Sequence, residues 1–205
     1  MICFKHRCIF VHIPKTGGQS ISRHFRKIGK IRGSDTWSNR DPLRGPPRLA
    51  HLTAEEYVTG KHVTPQFFNS SFKFSFVRNP WQRVVSEFSW RKHLWKKISF
   101  DDWVKQLQFI NTDDFCDKKR HLKPQQEFLY DDEENQLVDF IGRYENLQAD
   151  FNTVLEELKL SPSKLPYINR SSHKDYVHYY NQESKQIIAQ KYAKDIEYFG
   201  YEFGK

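Results

Sequence analysis

A lysine followed by two glycines, with hydroxyl side chains around them, is the sharpest chemical feature of the chain. The segment Pro14-Lys-Thr-Gly-Gly-Gln-Ser20 follows an apolar run and precedes a stretch with helical spacing. Glycine lets the backbone amides of such a turn converge, and the following helix adds unpaired N–H groups and the positive end of its dipole. Thr16 and Ser20 can add hydroxyl donors, and Lys15 can place its charge against a bridging phosphate oxygen. The segment therefore predicts a loop that binds phosphate or sulfate.

The order of residues distinguishes this loop from the Walker A type. A Walker A loop places its lysine after the glycines, whereas Lys15 comes before Gly17 and Gly18. This order disfavours an ATP-driven kinase. A glycine turn that only packs a helix on a strand is the alternative, and the lysine with its neighbouring hydroxyls favours the anion site.

A second candidate anion site begins at Arg78. Val77-Arg-Asn-Pro80 stands where an apolar run ends, with Asn79 suited to cap a helix and proline suited to its first position. Arg78 offers a fork of donors to a phosphate. Ser86 lies eight residues further on and reaches the same anion if the strand end folds back over the helix. A surface ion pair for Arg78 and a neutral helix position for Ser86 are the alternatives. Two such sites at adjacent strand ends suit a ligand with two separated phosphate-like groups.

A base is needed wherever a group is transferred to a hydroxyl, and histidine suits that role near neutral pH. The chain has nine histidines. His51 lies between the two anion motifs and just ahead of a predicted helix start, and a capping or packing role is its alternative. His12 is the rival candidate, although it stands on a predicted buried strand, where a neutral histidine bonded to backbone is common. Glu87 and His93 follow the second motif, and the sequence does not predict whether their side chains point toward the candidate site.

Strand-like and helix-like segments alternate along the chain and must position these residues. Buried strands are predicted over residues 8–13, 72–77 and 138–144, and Thr53 with Glu56 predicts a capping box at the start of a short helix. Further helices are predicted over residues 19–28, 81–94, 99–109, 146–158 and 182–198. This order predicts an α/β, three-layer, P-loop-like fold with a central mainly parallel sheet flanked by helices. We expect one domain over residues 1–205, with ligands at the carboxyl ends of the strands.

The charge and composition of the chain limit its function classes. A formal charge of +8 favours anionic partners, and 16% aromatic residues favour a folded chain over a disordered one. Net charge alone does not separate nucleic acid, membrane surface, polyanionic glycan and small phosphate ligand. A polyanion- or nucleic-acid-binding module is therefore an alternative, supported by Trp37, Trp90 and Trp95, and a P-loop small-molecule kinase is another. Both leave the paired motifs at Lys15 and Arg78 unexplained.

The cysteines indicate free thiols. Cys3, Cys8 and Cys116 are odd in number, and Cys3 and Cys8 with the intervening His6 match no zinc spacing, so we expect neither a disulfide framework nor a metal.

No stretch approaches the roughly 18–20 apolar residues that span a bilayer, and the first residues lack a signal-peptide pattern. We expect a cytoplasmic protein, with a soluble fragment of a Golgi enzyme as the alternative, and make no prediction of oligomeric state.

Both anion motifs resemble those of a known family. His12-Ile-Pro-Lys-Thr-Gly-Gly18 and Phe76-Val-Arg-Asn-Pro-Trp-Gln-Arg-Val-Val-Ser86 are similar to the 5'-phosphosulfate loop and the 3'-phosphate segment of carbohydrate sulfotransferases related to heparan sulfate 2-O-sulfotransferase. The resemblance continues at residues 141–147, 169–172 and 198–201, so it covers nearly the whole chain in the same order.

The resemblance implies a reaction and a set of site residues. The donor would be 3'-phosphoadenosine 5'-phosphosulfate (PAPS), the product nucleotide adenosine 3',5'-bisphosphate, and the acceptor a hydroxyl, with a carbohydrate favoured by analogy. His51 would act as the base and Lys15 would stabilise the departing phosphate. The residues that would hold the 5' end of the donor are Lys15, Thr16, Gly17, Gly18, Gln19 and Ser20, and those for its 3'-phosphate are Arg78 and Ser86. Gln19 departs from the family pattern, which more often has a small hydroxyl residue there.

Overall fold

One mainly parallel sheet forms the centre of the described part of the chain. The structure is a computed structural model that describes residues 1–29, 49–94, 97–107, 116–166 and 175–205. Its strands, in spatial order, are β1 (Ile2–Cys3), β2 (Cys8–Val11), β3 (Phe72–Val77) and β4 (Phe140–Arg143). β1 runs antiparallel to β2, while β2, β3 and β4 are parallel. The predicted α/β class is confirmed.

Helices follow and precede these strands. They are α1 (Gly18–Gly29), α2 (Glu56–Thr59), α3 (Pro65–Ser70), α4 (Pro80–Trp90), α5 (Phe100–Leu107), α6 (Asp117–Arg120), α7 (Leu147–Glu157), α8 (Gln182–Lys191) and α9 (Ala193–Phe199). Short 3-10 turns occupy Leu49–His51, Lys92–Leu94, Gln126–Phe128, Tyr144–Asn146 and Tyr176–Tyr179.

The register of the parallel strands brings the predicted motifs to one edge of the sheet. Phe74 of β3 is paired with Phe10 of β2 on one side and with Phe140 of β4 on the other. The carboxyl ends of these three strands therefore lie side by side. β2 is buried along its whole length, which explains why its sequence is an apolar run and not an alternating pattern.

Helices cover both faces of the sheet, as the three-layer prediction requires. On one face, Phe10 packs in a cluster with Phe25 of α1 and Phe151 of α7. On the other face, Ile9 packs in a cluster with Tyr57 of α2 and with residues of α3 and α9. A separate apolar cluster joins α4, α5 and α8. The sheet edge is thus held rigidly between packed layers.

Side-chain hydrogen bonds lie at the start of one helix near the motifs and just ahead of another. The side chain of Asn79 accepts a hydrogen bond from the amide of Trp81 at 3.2 Å, so α4 begins directly after β3. The predicted capping box is present, because Thr53 N donates to Glu56 at 2.8 Å and Glu56 N donates to the Thr53 hydroxyl at 3.3 Å. It fixes the chain immediately after His51.

Three details differ from the predicted elements. β1 was not predicted, because two residues give no periodic pattern. The helix predicted over residues 146–158 begins at Leu147, since the 3-10 turn Tyr144–Asn146 leads directly into it. The predicted final helix is divided at Tyr192, where φ is −113° and ψ is 31° and the buried phenol donates to Leu122 O at 2.9 Å.

Some predictions concern residues outside the described part of the chain. They include those for Trp37 and Trp95 and for the motif at residues 169–172. Among the described residues, no helix combines the length and the apolar character that crossing a membrane requires.

Candidate active site

The loop between β2 and α1 has the backbone of an anion-binding turn. Lys15 and Gly17 have φ values of 71° and 81°, in the left-handed region that non-glycine residues seldom adopt. The hydroxyl of Thr16 donates to Ile13 O at 2.9 Å, and the amide of Ser20 donates to Gly17 O at 3.1 Å. The Thr16 hydroxyl therefore closes the turn, and Lys15 is held in a conformation that the surrounding structure must stabilise.

Both glycines of the loop are required by close neighbours. A Cβ atom on Gly18 would lie 2.2 Å from Cδ2 of His12, and one on Gly17 would lie 2.8 Å from a methyl carbon of Leu147. The His12 ring thus lies directly against the first residue of α1. The start of this helix is in contact with an imidazole on one side and with the segment after β4 on the other.

Arg78 joins the second motif to the first. Its Nη1 atom donates to Lys15 O at 3.1 Å, and its Nε atom donates to Gln82 Oε1 at 2.9 Å. The guanidinium lies over the ring of Tyr144, 3.9 Å from the ring centroid. Because Tyr144 also lies next to Gly17, three segments from the ends of β2, β3 and β4 meet at this arginine.

Gln125 fixes the backbone of Arg78. Its side-chain oxygen accepts from Arg78 N at 2.9 Å, and its side-chain nitrogen donates to Arg78 O at 2.8 Å. Gln125 is fully buried, and Asp195 accepts from its backbone amide at 2.9 Å. Burial is the main cause that raises the pKa of Asp195 to about 6. No local sequence pattern indicates this support, because Gln125 lies in an irregular polar segment.

Arg83 has a structural role. Its three donor nitrogens bond to the carbonyl oxygens of Pro14, Lys123 and His121 at 2.9–3.1 Å. Arg83 is 2% exposed, and its bond to Pro14 O links α4 to the loop between β2 and α1 inside the protein. Ser86 is also buried on α4, one turn beyond Arg83. Arg78 precedes this helix.

The side chain of Lys15 lies beside an exposed indole. Its Nζ atom is 4.6 Å from the ring centroid of Trp90, which is 53% exposed. Burial is the main cause that lowers the pKa of Lys15 to about 8, while the charge of Glu87 opposes the shift. Ser20 is buried near the loop, and the side chain of Gln19 faces solvent.

His51 belongs to a cluster of three imidazoles. Its ring centroid is 5.3 Å from that of His12 and 4.9 Å from that of His121, with edge-to-face geometry in both pairs. His51 Nδ1 lies 2.8 Å from Oδ1 of Asp117 on α6. Since His12 also contacts Gly18, the cluster connects His51 to the anion loop. Burial, followed by the charge of His51, lowers the pKa of His12 well below its usual value, so His12 is neutral.

A buried carboxylate orients the third imidazole. His121 Nδ1 lies 2.7 Å from Oε2 of Glu87, and Glu87 also pairs with Arg91. Burial would raise the pKa of Glu87, but the hydrogen bond and charge of His121 and the charge of Arg91 outweigh it and lower that pKa to about 2. Glu87 is thus an ionised partner of His121, and the alternative candidate His93 lies exposed in the turn after α4.

The structure brings most predicted site residues to one sheet edge. Lys15 to Ser20 and Arg78 meet through direct contacts, Ser86 lies on the helix that follows, and His51 adjoins the loop through His12. Sequence reasoning missed Asp117, His121 and Gln125, all within a segment that has no periodic pattern. A loop, an arginine and an imidazole at the carboxyl ends of parallel strands can hold an anionic ligand and move a proton beside it.

Candidate binding residues at the carboxyl ends of parallel strands are typical of α/β proteins that bind ligands at that edge of the sheet. The family of the chain is narrower: it belongs to the sulfotransferase family, whose family model matches residues 1–202. The resemblance to the sulfotransferase family is thereby confirmed.

Three relatives show the extent of the similarity. An uncharacterized protein of Archaeoglobus fulgidus is 30% identical over 125 residues, which cover 58% of this chain and 94% of that protein. Carbohydrate sulfotransferase 10 of Xenopus laevis is 25% identical over 244 residues, covering 96% of this chain and 65% of that protein. Carbohydrate sulfotransferase 10 of Danio rerio is 29% identical over 111 residues, covering 51% and 27%. The chain thus spans less than two thirds of either carbohydrate sulfotransferase, and no solved structure gives a significant match.

Proposed function

We propose that the chain transfers a sulfuryl group from PAPS to a hydroxyl group of a carbohydrate. The observation that carries this proposal is the contact between its two anion motifs, where Arg78 Nη1 donates to Lys15 O at 3.1 Å. PAPS has a phosphosulfate at one end of its ribose and a phosphate at the other, so it needs two adjacent anion sites. Family membership supports sulfuryl transfer as the reaction.

The 5' end of the donor would bind at the start of α1. The amides of Thr16, Gly17, Gly18 and Gln19 and the dipole of a 12-residue helix favour an anion there, while the Ser20 amide is bonded to Gly17 O. The Ser20 hydroxyl is a further donor, whereas the Thr16 hydroxyl already closes the turn. Arg78 and Ser86 would bind the 3'-phosphate, with Arg78 placed by Gln125 and Tyr144.

The chemical step needs no redox partner. The acceptor oxygen attacks sulfur, and a new O–S bond forms as the bond from sulfur to the bridging phosphate oxygen breaks. His51 takes the proton of the hydroxyl, and Lys15 stabilises the charge that develops on the phosphate of adenosine 3',5'-bisphosphate. Asp117, 2.8 Å from His51 Nδ1, stabilises the imidazolium that results.

Two observations favour a carbohydrate as acceptor. Two relatives named above are carbohydrate sulfotransferases. Trp90 presents an indole, 53% exposed, beside Lys15. Such a face suits the C–H surface of a sugar ring, whose hydroxyls would point toward the reacting centre.

The proposal is tested by a screen of acceptors. The protein is incubated with PAPS labelled in the sulfuryl group and with neutral, uronic-acid and amino-sugar oligosaccharides, a tyrosine peptide and a small alcohol. We expect label and an added sulfate mass in a carbohydrate product. Transfer to the peptide or to the alcohol alone would overturn the carbohydrate assignment, and no transfer to any acceptor would overturn the proposed reaction.

A further inference from the structure

Three side chains around His51 have the composition of a transition-metal site. Among the residues that the structure describes, His51, Asp117 and His121 each offer one ligand atom, and these atoms all lie within 4.8 Å of one another. Two imidazole nitrogens and one carboxylate oxygen form a donor set that zinc binds well.

A second carboxylate supports this arrangement. His121 Nδ1 lies 2.7 Å from Glu87 Oε2, so its Nε2 atom faces Asp117 Oδ2 at 4.0 Å. Metal-binding histidines commonly donate their other ring nitrogen to a carboxylate, which fixes the ring and makes the ligand more basic. The side chain of Glu87 is only 3% exposed and pairs with both Arg91 and His121. The His121 ring is therefore oriented before any ion arrives.

We propose that His51, Asp117 and His121 bind one zinc ion, and that the bound ion inhibits the enzyme. The ligand atoms must come to roughly 3.4 Å from one another, the edge of a tetrahedron with zinc bonds of about 2.0–2.1 Å. The side chain of Asp117 is 20% exposed and gives an ion access, while His51 and His121 are 8% and 10% exposed. The Asp117 carboxylate already adjoins both rings, with Oδ1 2.8 Å from His51 Nδ1 and Oδ2 4.0 Å from His121 Nε2.

Inhibition follows from the identity of one ligand, and this part rests on the proposed function. Asp117 lies at Nδ1 of His51, so a zinc ion shared with Asp117 binds that nitrogen. The zinc-bound neutral ring then carries its proton on Nε2 and has no lone pair left to take the proton of the acceptor hydroxyl. Lys15 and the amides of α1 supply the positive charge that the leaving phosphate needs, so the reaction itself requires no metal. Zinc thus lowers turnover, and a chelator restores or preserves it.

The binding claim is tested without an activity assay. Calorimetry with Zn²⁺, and visible absorption of Co²⁺ as a spectroscopic substitute, are measured on the metal-free full chain. We expect one ion per chain, with the intense absorption of four-coordinate Co²⁺ and its displacement by Zn²⁺. Asp117→Asn and His121→Gln should each weaken binding at least tenfold, and Glu87→Gln should weaken it about 10- to 100-fold.

A matched control separates this site from general binding of metal to histidine. His178 is exposed in the Tyr176–Tyr179 turn, and His178→Gln should leave zinc affinity unchanged. Circular dichroism and thermal unfolding show whether each variant is folded, and an unfolded variant is replaced by His51→Gln in the comparison. Equal zinc affinity in the wild type, Asp117→Asn and His121→Gln would overturn the site.

Activity measurements then test the inhibitory role. Sulfuryl transfer by the wild type should fall on addition of zinc at the concentration that fills the site, and excess chelator should restore it. Zinc that binds as described but leaves turnover unchanged would overturn the inhibition and leave the site in place. If no sulfuryl transfer is found at all, calorimetry still decides the binding claim, so the two proposals fail separately.

Discussion

The guanidinium of Arg78 donates a hydrogen bond to the backbone carbonyl of Lys15 at 3.1 Å. This bond joins two motifs that are 63 residues apart in the chain. It also sets the distance between the charge that would face the 5' end of the donor and the fork that would face its 3'-phosphate. We therefore expect a ligand with both groups to engage both sites at once.

Adenosine 3',5'-bisphosphate should bind much more tightly than adenosine 5'-monophosphate. Only the former presents a 3'-phosphate to Arg78 and Ser86, and each charge-assisted contact contributes about 1.5–3 kcal/mol. Calorimetry with both nucleotides measures the difference. Ser86→Ala should reduce it while leaving the affinity for the monophosphate nearly unchanged, and equal affinities in the wild type would remove the second anion site from the account.

Nucleotide affinity should fall as the pH rises through about 8. Burial holds the pKa of free Lys15 at about 8, so the side chain is cationic at pH 7 and increasingly neutral above pH 8. Nucleotide binding at pH 8–9 must then return a proton to Lys15, which costs affinity. Dissociation constants from pH 7 to pH 9.5 test this for the wild type and for Lys15→Arg, which stays charged. A loss of affinity as steep in Lys15→Arg as in the wild type would assign the effect to another group.

Gly18→Ala should impair nucleotide binding and stability together. The new Cβ would lie 2.2 Å from the His12 ring, which is itself packed against Phe10 and His51, so the ring cannot move freely. Overpacking of this kind costs about 1–3 kcal/mol, measured by chemical denaturation. The double variant His12→Ser, Gly18→Ala removes the ring and should regain nucleotide affinity relative to Gly18→Ala. A Gly18→Ala protein with wild-type affinity and stability would contradict the packing described.

Gln125→Leu should destabilise the protein by about 2–4 kcal/mol. It leaves the amide and carbonyl of Arg78 without the bonds at 2.9 and 2.8 Å that Gln125 provides, and unpaired buried groups cost about 1–3 kcal/mol each. The neighbouring Gln126 bonds to Asp195 through its backbone amide, which Gln126→Leu keeps. Denaturant unfolding should therefore show a much smaller loss for Gln126→Leu, and similar losses for the two variants would refute the role of Gln125.

The local signals in the sequence were enough to predict the strand, turn and helix around Lys15 and those around Arg78. The apolar run before Pro14, the glycines and the helical spacing after them act within a few residues of one another, and the same is true of β3, Asn79 and α4. Capping at Thr53 and Glu56 is equally local. Such patterns depend on backbone sterics and short-range hydrogen bonds, which a sequence displays directly.

The environment of His51 depends on contacts that no local pattern displays. Asp117 lies 66 residues from His51, and Glu87 lies 34 residues from His121. These pairs form because α4 lies next to α6 and the residue that follows it. The buried contact of Arg83 on α4 with the carbonyl of His121 is one example. The division of the last helix at Tyr192 has a similar cause, since its phenol reaches Leu122 across the fold.

The most direct test of the account is the rate of sulfate transfer from labelled PAPS to a carbohydrate acceptor by the wild type and by His51→Ala. The account predicts PAPS-dependent transfer by the wild type and a turnover number about 10²- to 10⁴-fold lower in His51→Ala. Nucleotide affinity should be nearly unchanged in His51→Ala, whereas Lys15→Ala should lose both affinity and rate. Transfer at the wild-type rate by a folded His51→Ala protein would show that the base lies elsewhere. Binding of PAPS by the wild type without transfer to any carbohydrate would contradict the proposed function itself.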